Sequence, residues 1–163
     1  MEATVYFDWA NRLAMLGWVA LVFLPRRGRW GSWLLPTLSV GLVGLLALLY
    51  AVLICVYFFR IDGGGFGNLA QVMRLFTSPH IALAGWVHYL AFDLWVGIWI
   101  ARQSDQLGWP RLLQAPLLLT TFMFGPIGWL LFQVARGVLR WSRPGSAAGK
   151  VAPHGSARTG LPV

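Results

Sequence analysis

The sequence has little charge and almost no cysteine. Charged residues make up 11% of its 163 residues, hydrophobic residues make up 58%, and only five side chains are acidic. A water-soluble domain of this length needs much more polar surface to cover its core. The single cysteine, Cys55, lies in an apolar run and has no intrachain partner for a disulfide. Water is therefore not the main solvent of this chain.

The sequence also lacks the side chains of several enzyme classes. It has three histidines, which is too few for a histidine-rich di-iron enzyme. A haem held by two histidines is excluded as well, because only His88 lies deep in an apolar run. There is no phosphate-binding glycine loop, Cys-x-x-Cys pair or nucleophile elbow. We predict no metal and no cofactor, so any chemistry would use acid–base side chains or a cofactor for which the sequence has no motif.

Most of the charge that is present is positive. Lys and Arg number 13 against five Asp and Glu, which gives a formal net charge of +8. These basic residues lie at the ends of apolar runs and near the C-terminus, without forming one continuous stripe. This distribution is typical of contact with lipid headgroups. We therefore predict a lipid bilayer as the partner, and no nucleic acid.

The chain is rich in long apolar runs. Four of them approach the roughly 20 residues that a helix needs to cross a bilayer. They predict an all-α integral membrane protein, with a four-helix transmembrane domain in residues 1–141 and a disordered basic tail in residues 142–163. The runs cover about Tyr6–Leu24, Leu38–Phe59, Pro79–Ala101 and Ala115–Val134.

A shorter segment precedes the third run. Residues 68–77 place several apolar side chains on one helical face, so we expect a short interfacial helix there. The first run is interrupted by Asp8, Asn11 and Arg12, and no small-residue cleavage site follows it before Pro25. We interpret it as a retained helix and not as a signal peptide. The absence of a transit peptide favours a bacterial inner membrane, whereas orientation and oligomeric state stay open.

Two ionisable side chains lie near the middle of the third run. His88 and Asp93 are within about one turn of its centre, where an ionised carboxylate costs at least about 2.5–3.5 kcal/mol. At about 100° per residue they lie roughly 140° apart, so they need not touch. The default interpretation of such residues is function. The alternative is interhelical hydrogen bonding without chemistry, which is the better interpretation for Asn11.

Other positions are candidate partners across the helix bundle. Arg12 would either pair with Asp93 or extend outward to the headgroups. In the fourth run, Pro126 removes one backbone hydrogen bond, and a kink with close helix contact is expected there. Such a kink is more often a packing feature than a binding feature. The candidate substrate-binding residues are Asn11, Arg12, Trp86, Trp95, Thr120, Gly125 and Pro126.

The same residues resemble the ABA-deficient-four membrane protein family. The resemblance covers most of residues 5–136, and its central motif is long enough to be specific. Its motifs are Gly85–Gly97, Asn11 with Leu16–Trp18 and Pro25, Val72–Phe76 with Ser78–Pro79, and Leu119–Thr120 with Phe124–Gly128. Plant members are plastid proteins required to make the allenic carotenoid neoxanthin from violaxanthin. This chain lacks their transit peptide and is short, and the plant substrate cannot be carried over to it. What the resemblance implies is a connection to carotenoids or to a similar long apolar isoprenoid.

The resemblance also implies a reaction. Turning an epoxide into an allenic alcohol is an isomerisation, which needs one proton given to oxygen and another taken from carbon. Asp93 would be the acid and neutral His88 the base, with Tyr89 or Arg12 stabilising the alkoxide. The leading hypothesis is a membrane protein related to carotenoid or isoprenoid metabolism, which would be isomerase-like if it is an enzyme. The alternatives are a non-catalytic lipophile-binding or assembly subunit and, less favoured because no repeat is visible, a small proton-coupled transporter.

Overall fold

The structure, a computed structural model, describes residues 3–26 and 28–141 of the chain. The described residues form six α-helices, a π-helical segment and one short 3-10 helix, Phe58–Arg60. The predicted all-α architecture is confirmed for them. The predicted tail, residues 142–163, lies outside the described residues. The helices are α1 (Ala3–Phe23), α2 (Arg29–Pro36), α3 (Val43–Tyr57), α4 (Leu69–Phe76), α5 (Pro79–Gln106) and α6 (Arg111–Trp141).

The second long helix is longer than its apolar run predicted. α2 continues through a π-helical segment, Thr37–Leu42, into α3, and Pro36 lies inside this continuous helix instead of preceding it. The π-helical segment begins directly after Pro36 and has a different hydrogen-bonding pattern from the α-helices on either side of it. The candidate membrane span therefore begins at Gly31 and ends at Arg60.

The prediction of four transmembrane helices is wrong by one helix. Among the described residues, three helices are long and apolar enough to cross a membrane: Gly31–Arg60, Pro79–Gln106 and Arg111–Trp141. The remaining long helix, α1, has 21 residues, which is sufficient length. Its polar side chains Asp8, Asn11 and Arg12 explain why it is not one of the three.

The predicted short helix before α5 is present as α4. Its first turn is capped by the Asn68 side chain, which accepts a hydrogen bond from Gln71 N at 2.9 Å. Leu75 is buried against the rest of the protein, whereas Leu69 and Met73 are exposed by 74% and 64%. α4 therefore presents apolar side chains on two sides, one of them turned away from the bundle.

α5 is the central helix, because α1, α3, α4 and α6 all pack against it. Small residues allow this packing, as is common between membrane helices. Gly97 of α5 faces the ring of Trp18 in α1, and a Cβ atom added at Gly97 would overlap that ring. Gly17 of α1 similarly faces Leu94 of α5. The backbones of α1 and α5 can therefore approach each other closely.

A buried ion pair joins the ends of three helices. The side chain of Arg26, which follows α1, is fully buried, and its Nε donates to Asp105 Oδ2 of α5 at 2.9 Å. Its other nitrogens donate to Leu21 O and to Gln114 Oε1 of α6. Gln114 Nε2 in turn donates to Asp105 Oδ1 at 3.0 Å and to Trp109 O at 2.9 Å. Burial lowers the pKa of Arg26, and the charge of Asp105 opposes this effect.

We expect Gly97→Val to destabilise the protein by about 1–3 kcal/mol, because the added side chain overlaps Trp18. The matched control is Gly44→Val, since a Cβ at Gly44 in α3 meets open space. Thermal unfolding in detergent, followed by circular dichroism, measures the difference. Equal losses of thermal stability in both variants would contradict the close contact between α1 and α5.

Replacing Arg26 with Ala should lower the free energy of unfolding by about 1–3 kcal/mol, because it leaves polar groups of Asp105 and Gln114 without their partner. Arg102→Ala is the control, because Arg102 is an exposed arginine near the same end of α5. The same unfolding experiment applies. Wild-type stability of the Arg26 variant would show that the ion pair contributes nothing to the fold.

Candidate functional site

Asp93 is the buried acidic residue of α5. It is only 6% exposed, and its Oδ2 atom has no hydrogen-bond partner among residues 3–26 and 28–141. A buried polar atom without a partner costs free energy that a satisfied one does not. Such an atom persists where a bound molecule completes it or where function requires it.

α6 is broken directly opposite this carboxylate. The backbone of Phe124 (φ −144°, ψ 38°) and Gly125 (φ 7°, ψ −76°) leaves the helical conformation, and Pro126 follows. The predicted kink is therefore present. Because Pro126 has no N–H, the helix loses one hydrogen bond at this point. A Cβ atom added at Gly125 would overlap the Asp93 carboxylate, so only glycine lets the α6 backbone lie against it.

A cavity of about 350 Å³ lies between α5 and α6 at the break. Asp93 is its one acidic wall residue, and the other walls are apolar or aromatic. Phe92, Trp95 and Trp129 are each about half exposed, so the cavity opens on the outer surface of the helices. An apolar cavity with one polar group is typical of a site for a lipophilic ligand. Its lining consists of Phe92, Asp93, Trp95, Val96, Trp99, Gly125, Pro126 and Trp129.

Tyr89 lies one turn before Asp93 on α5. Its hydroxyl donates a hydrogen bond to Met123 O, at 2.8 Å, in the turn of α6 that precedes the break. The Tyr89 hydroxyl also lies close to the Asp93 carboxyl group. Because the hydroxyl proton is donated to the backbone, Tyr89 holds the turn before the break in place. Tyr89 does not line the Asp93 cavity.

His88 lies on a different side of α5. It is exposed and lies between the rings of Tyr50 (centroids 5.2 Å apart) and Phe92 (5.6 Å). It lines a second cavity of about 260 Å³ against α3, whereas Asp93 does not. Phe92 and Trp95 line both cavities. The structure therefore does not bring the predicted acid and base together in one cavity.

The candidate residues of α1 serve other contacts. Asn11 Oδ1 accepts a hydrogen bond from Trp86 Nε1 of α5 at 3.0 Å, and Asn11 Nδ2 donates to Phe7 O at 2.8 Å. Asn11 and Trp86 thus join two helices, as the packing interpretation of Asn11 predicted. Arg12 is exposed and lies over the Trp9 ring, 5.8 Å from its centroid. The predicted pairing of Arg12 with Asp93 is therefore not present.

The threonines of α6 form only local hydrogen bonds. Thr120 Oγ1 donates to Pro116 O at 2.8 Å, and Thr121 Oγ1 donates to Leu117 O at 2.7 Å. Both hydroxyl groups thus satisfy carbonyls one turn earlier in the same helix. Neither residue lines the Asp93 cavity.

The comparison with sequence families identifies the family to which this chain belongs. The sequence model of the ABA DEFICIENT 4-like family matches residues 5–132, most of the chain. The chain belongs to this family. The comparison with curated proteins and the comparison with solved structures returned no match. The resemblance inferred from the motifs is confirmed, and the matched residues of this ABA DEFICIENT 4-like protein include Asp93 and the break in α6.

Four candidate residues of the ABA DEFICIENT 4-like protein meet at one cavity: Asp93, Trp95, Gly125 and Pro126. Phe92, Val96, Trp99 and Trp129 are wall residues that were not among the predicted site residues. A signal for Trp99 existed, because it follows Trp95 by four residues and so lies on the same helical face. Among the described residues, no group of three or more His, Cys, Asp or Glu side chains is placed to hold a metal ion.

We expect the contact between Gly125 and Asp93 to appear as a coupling in a double-mutant cycle. Gly125→Ala should destabilise the protein because its methyl group overlaps the carboxylate. In an Asp93→Ala background the same change should cost less, with a coupling energy on the order of 1 kcal/mol from unfolding in detergent.

The control for this cycle is Gly137→Ala, a change in open space on the same helix. It should show no coupling to Asp93→Ala. Strictly additive effects of Gly125→Ala and Asp93→Ala would contradict the close approach of the α6 backbone to the carboxylate.

Proposed function

We propose that this protein lies in a membrane, takes up a long apolar isoprenoid of the carotenoid class from the bilayer and acts on an oxygen atom of that ligand through Asp93. One observation carries the proposal: a buried carboxylate oxygen without a partner beside a cavity with apolar and aromatic walls. The cavity opens where lipid chains would surround the helices, so a lipophile can enter it without passing through water. The aromatic walls suit a flat polyene or ring.

The proposed reaction is the isomerisation of an epoxide to an unsaturated alcohol. Asp93, starting as the neutral acid, donates its proton to the epoxide oxygen as the carbon–oxygen bond breaks and its electron pair moves to oxygen. The resulting carboxylate then removes a proton from a neighbouring chain carbon, whose electron pair forms the new carbon–carbon double bond. Asp93 ends in its starting form, and no oxidant or reductant is consumed.

This scheme assigns both proton transfers to Asp93 because of where the other candidates lie. His88 faces the second cavity, and the Tyr89 proton is donated to Met123 O. Arg12 extends over Trp9, away from the carboxylate. A carboxyl group has two oxygens, so one group can give a proton at one atom and accept one at the other.

The surroundings of the helices support a membrane position. Besides the three helices that are both long and apolar enough to span a membrane, α4 exposes apolar side chains. Phe59, just after α3, and Phe66, in the loop before α4, are exposed by 88% and 75%. Arg60 and Arg74 lie in the same region of the chain. Such a combination suits the boundary between headgroups and acyl chains. We propose that α4 is interfacial, and that the membrane is a bacterial inner membrane.

A second candidate is a lipophile-binding subunit without catalysis. One observation favours it: no titratable residue other than Asp93 lines the cavity among the described residues. In that case Asp93 would only donate a hydrogen bond to a ligand hydroxyl or epoxide oxygen. The role of the unpartnered Asp93 oxygen would then be to select ligands that carry an oxygen atom, without any reaction.

Asp93→Asn should abolish conversion of an epoxidised carotenoid, with a loss of at least about 100-fold, because an amide cannot supply the proton. The measurement is chromatography of pigments from host membranes that contain the carotenoid and the protein. Asp62→Asn, in an exposed loop, is the matched control and should keep full activity. Asn resembles Asp in size, so the cavity should still retain pigment during purification.

The outcomes separate the two candidates. Conversion by Asp93→Asn at the wild-type rate would rule out the acid–base scheme. If the wild-type protein retains pigment without converting it, and Asp93→Asn alters that retention, the binding function is supported instead. If neither the wild-type protein nor Asp93→Asn retains or converts a carotenoid, the proposed ligand class is wrong.

A further inference from the structure

A second charged region lies at the end of the bundle where α1 ends and α6 begins. A cavity of about 510 Å³ is present there, with Arg26, Arg111 and Gln114 among its walls. It shares no wall residue with the Asp93 cavity. Its chemistry is also different, since two guanidinium groups, from Arg26 and Arg111, are among its walls. The region is therefore independent of the proposed acid–base site.

An apolar groove continues from this cavity along the protein. The groove also measures about 510 Å³ and runs between α1 and α6, and its walls are apolar side chains throughout, from Met15 to Phe122. Val22 and Phe23 form part of both the charged cavity and the groove. A charged end and an apolar channel thus form one continuous cleft, which has the shape of an amphiphile.

The charges at the head of this cleft do not cancel. Its walls include two arginines and one acid, Asp105. Asp105 is already bound by Arg26 through two hydrogen bonds. Arg111 is exposed and forms no ion pair among the described residues. Its guanidinium donates only to the carbonyls of Val22 at 3.4 Å and Leu24 at 3.1 Å.

Arg111 is well placed to bind an anion. It is close enough to Arg26 for the two positive charges to act on each other. Arg111 is also the first residue of α6, where the helix dipole favours negative charge. The N–H groups of Leu113 and Gln114 already donate to Pro110 O, so the Arg111 side chain is the main donor at this end. A guanidinium group matches the geometry of a phosphate, with N–H groups directed to two oxygens.

We propose that the cleft between α1 and α6 binds an anionic membrane lipid. The headgroup phosphate would lie on Arg111 and the first turn of α6, and one acyl chain would occupy the groove beside Val19 and Leu119. Arg26 is paired with Asp105, and its other donors are held by Gln114 and Leu21, so the charge of Arg111 keeps the head of the cleft positive. α1 packs chiefly on α5, and a lipid would fill the space between α1 and α6.

The test is lipid binding to the purified full-length chain in detergent, measured by native mass spectrometry. Phosphatidylglycerol and phosphatidylcholine with identical acyl chains are the two lipids, and glycerol phosphate is the headgroup probe without a chain. We expect phosphatidylglycerol to bind about tenfold more tightly than phosphatidylcholine, about the effect of one charge-assisted hydrogen bond. Glycerol phosphate should not displace it at equal concentration.

Two variants examine the two ends of the cleft. Arg111→Gln should remove the preference for the anionic lipid, and its matched control is Arg102→Gln, an exposed arginine near the same end. Leu119→Trp should fill the groove and weaken binding of phosphatidylglycerol by about tenfold or more. Its control is Leu130→Trp, because both leucines are exposed on α6, by 61% and 56%.

Several results would overturn the proposal. Equal binding of the two lipids would show that charge plays no part, and equal effects of Arg111→Gln and Arg102→Gln would indicate general surface attraction. Full displacement by glycerol phosphate would show a site for free phosphate groups and no role for the groove. If Arg111→Gln does not fold, because it loses contacts with the end of α1, Leu119→Trp against Leu130→Trp still decides the matter. None of these results depends on carotenoid conversion.

Discussion

Hydrocarbon offers no hydrogen bonds, so every polar atom among the helices needs a partner from the protein or from a bound molecule. Most polar side chains in this protein obey that constraint locally, as Thr121 does with Leu117 O. Asp93 is an exception, because its Oδ2 atom has no hydrogen-bond partner among the described residues. The α6 backbone lies against this carboxylate at the point where Gly125 and Pro126 interrupt the helix. The position of the break, the cavity beside it and the proposed chemistry all follow from this one arrangement.

Much of the helical fold could be predicted from composition, because long apolar runs have few alternatives to helices in a membrane. The failures are informative. α1 is long enough to span a membrane, but its polar residues make it less apolar than the three candidate spans. The second helix continues through Pro36 and then through a π-helical segment. The Arg26–Asp105 pair joins residues 79 positions apart. Such a contact depends on tertiary packing, so no local pattern could predict it.

The candidate site was predicted in parts. Asp93 was identifiable because an acid in an apolar run is costly, and Gly125-Pro126 because it interrupts a helix. That these features face each other required the packing of α5 against α6. The angle of about 140° between His88 and Asp93 already indicated separate faces, and the structure places them on separate cavities. The direction of Arg12 could not be predicted, since a long side chain near a helix end reaches either way.

Phe92 and Trp95 line both the Asp93 cavity and the His88 cavity. A change of rotamer at either residue therefore alters the walls of two spaces at once. Molecules bound in the two cavities would contact the same pair of aromatic residues, although the cavities lie on different sides of α5.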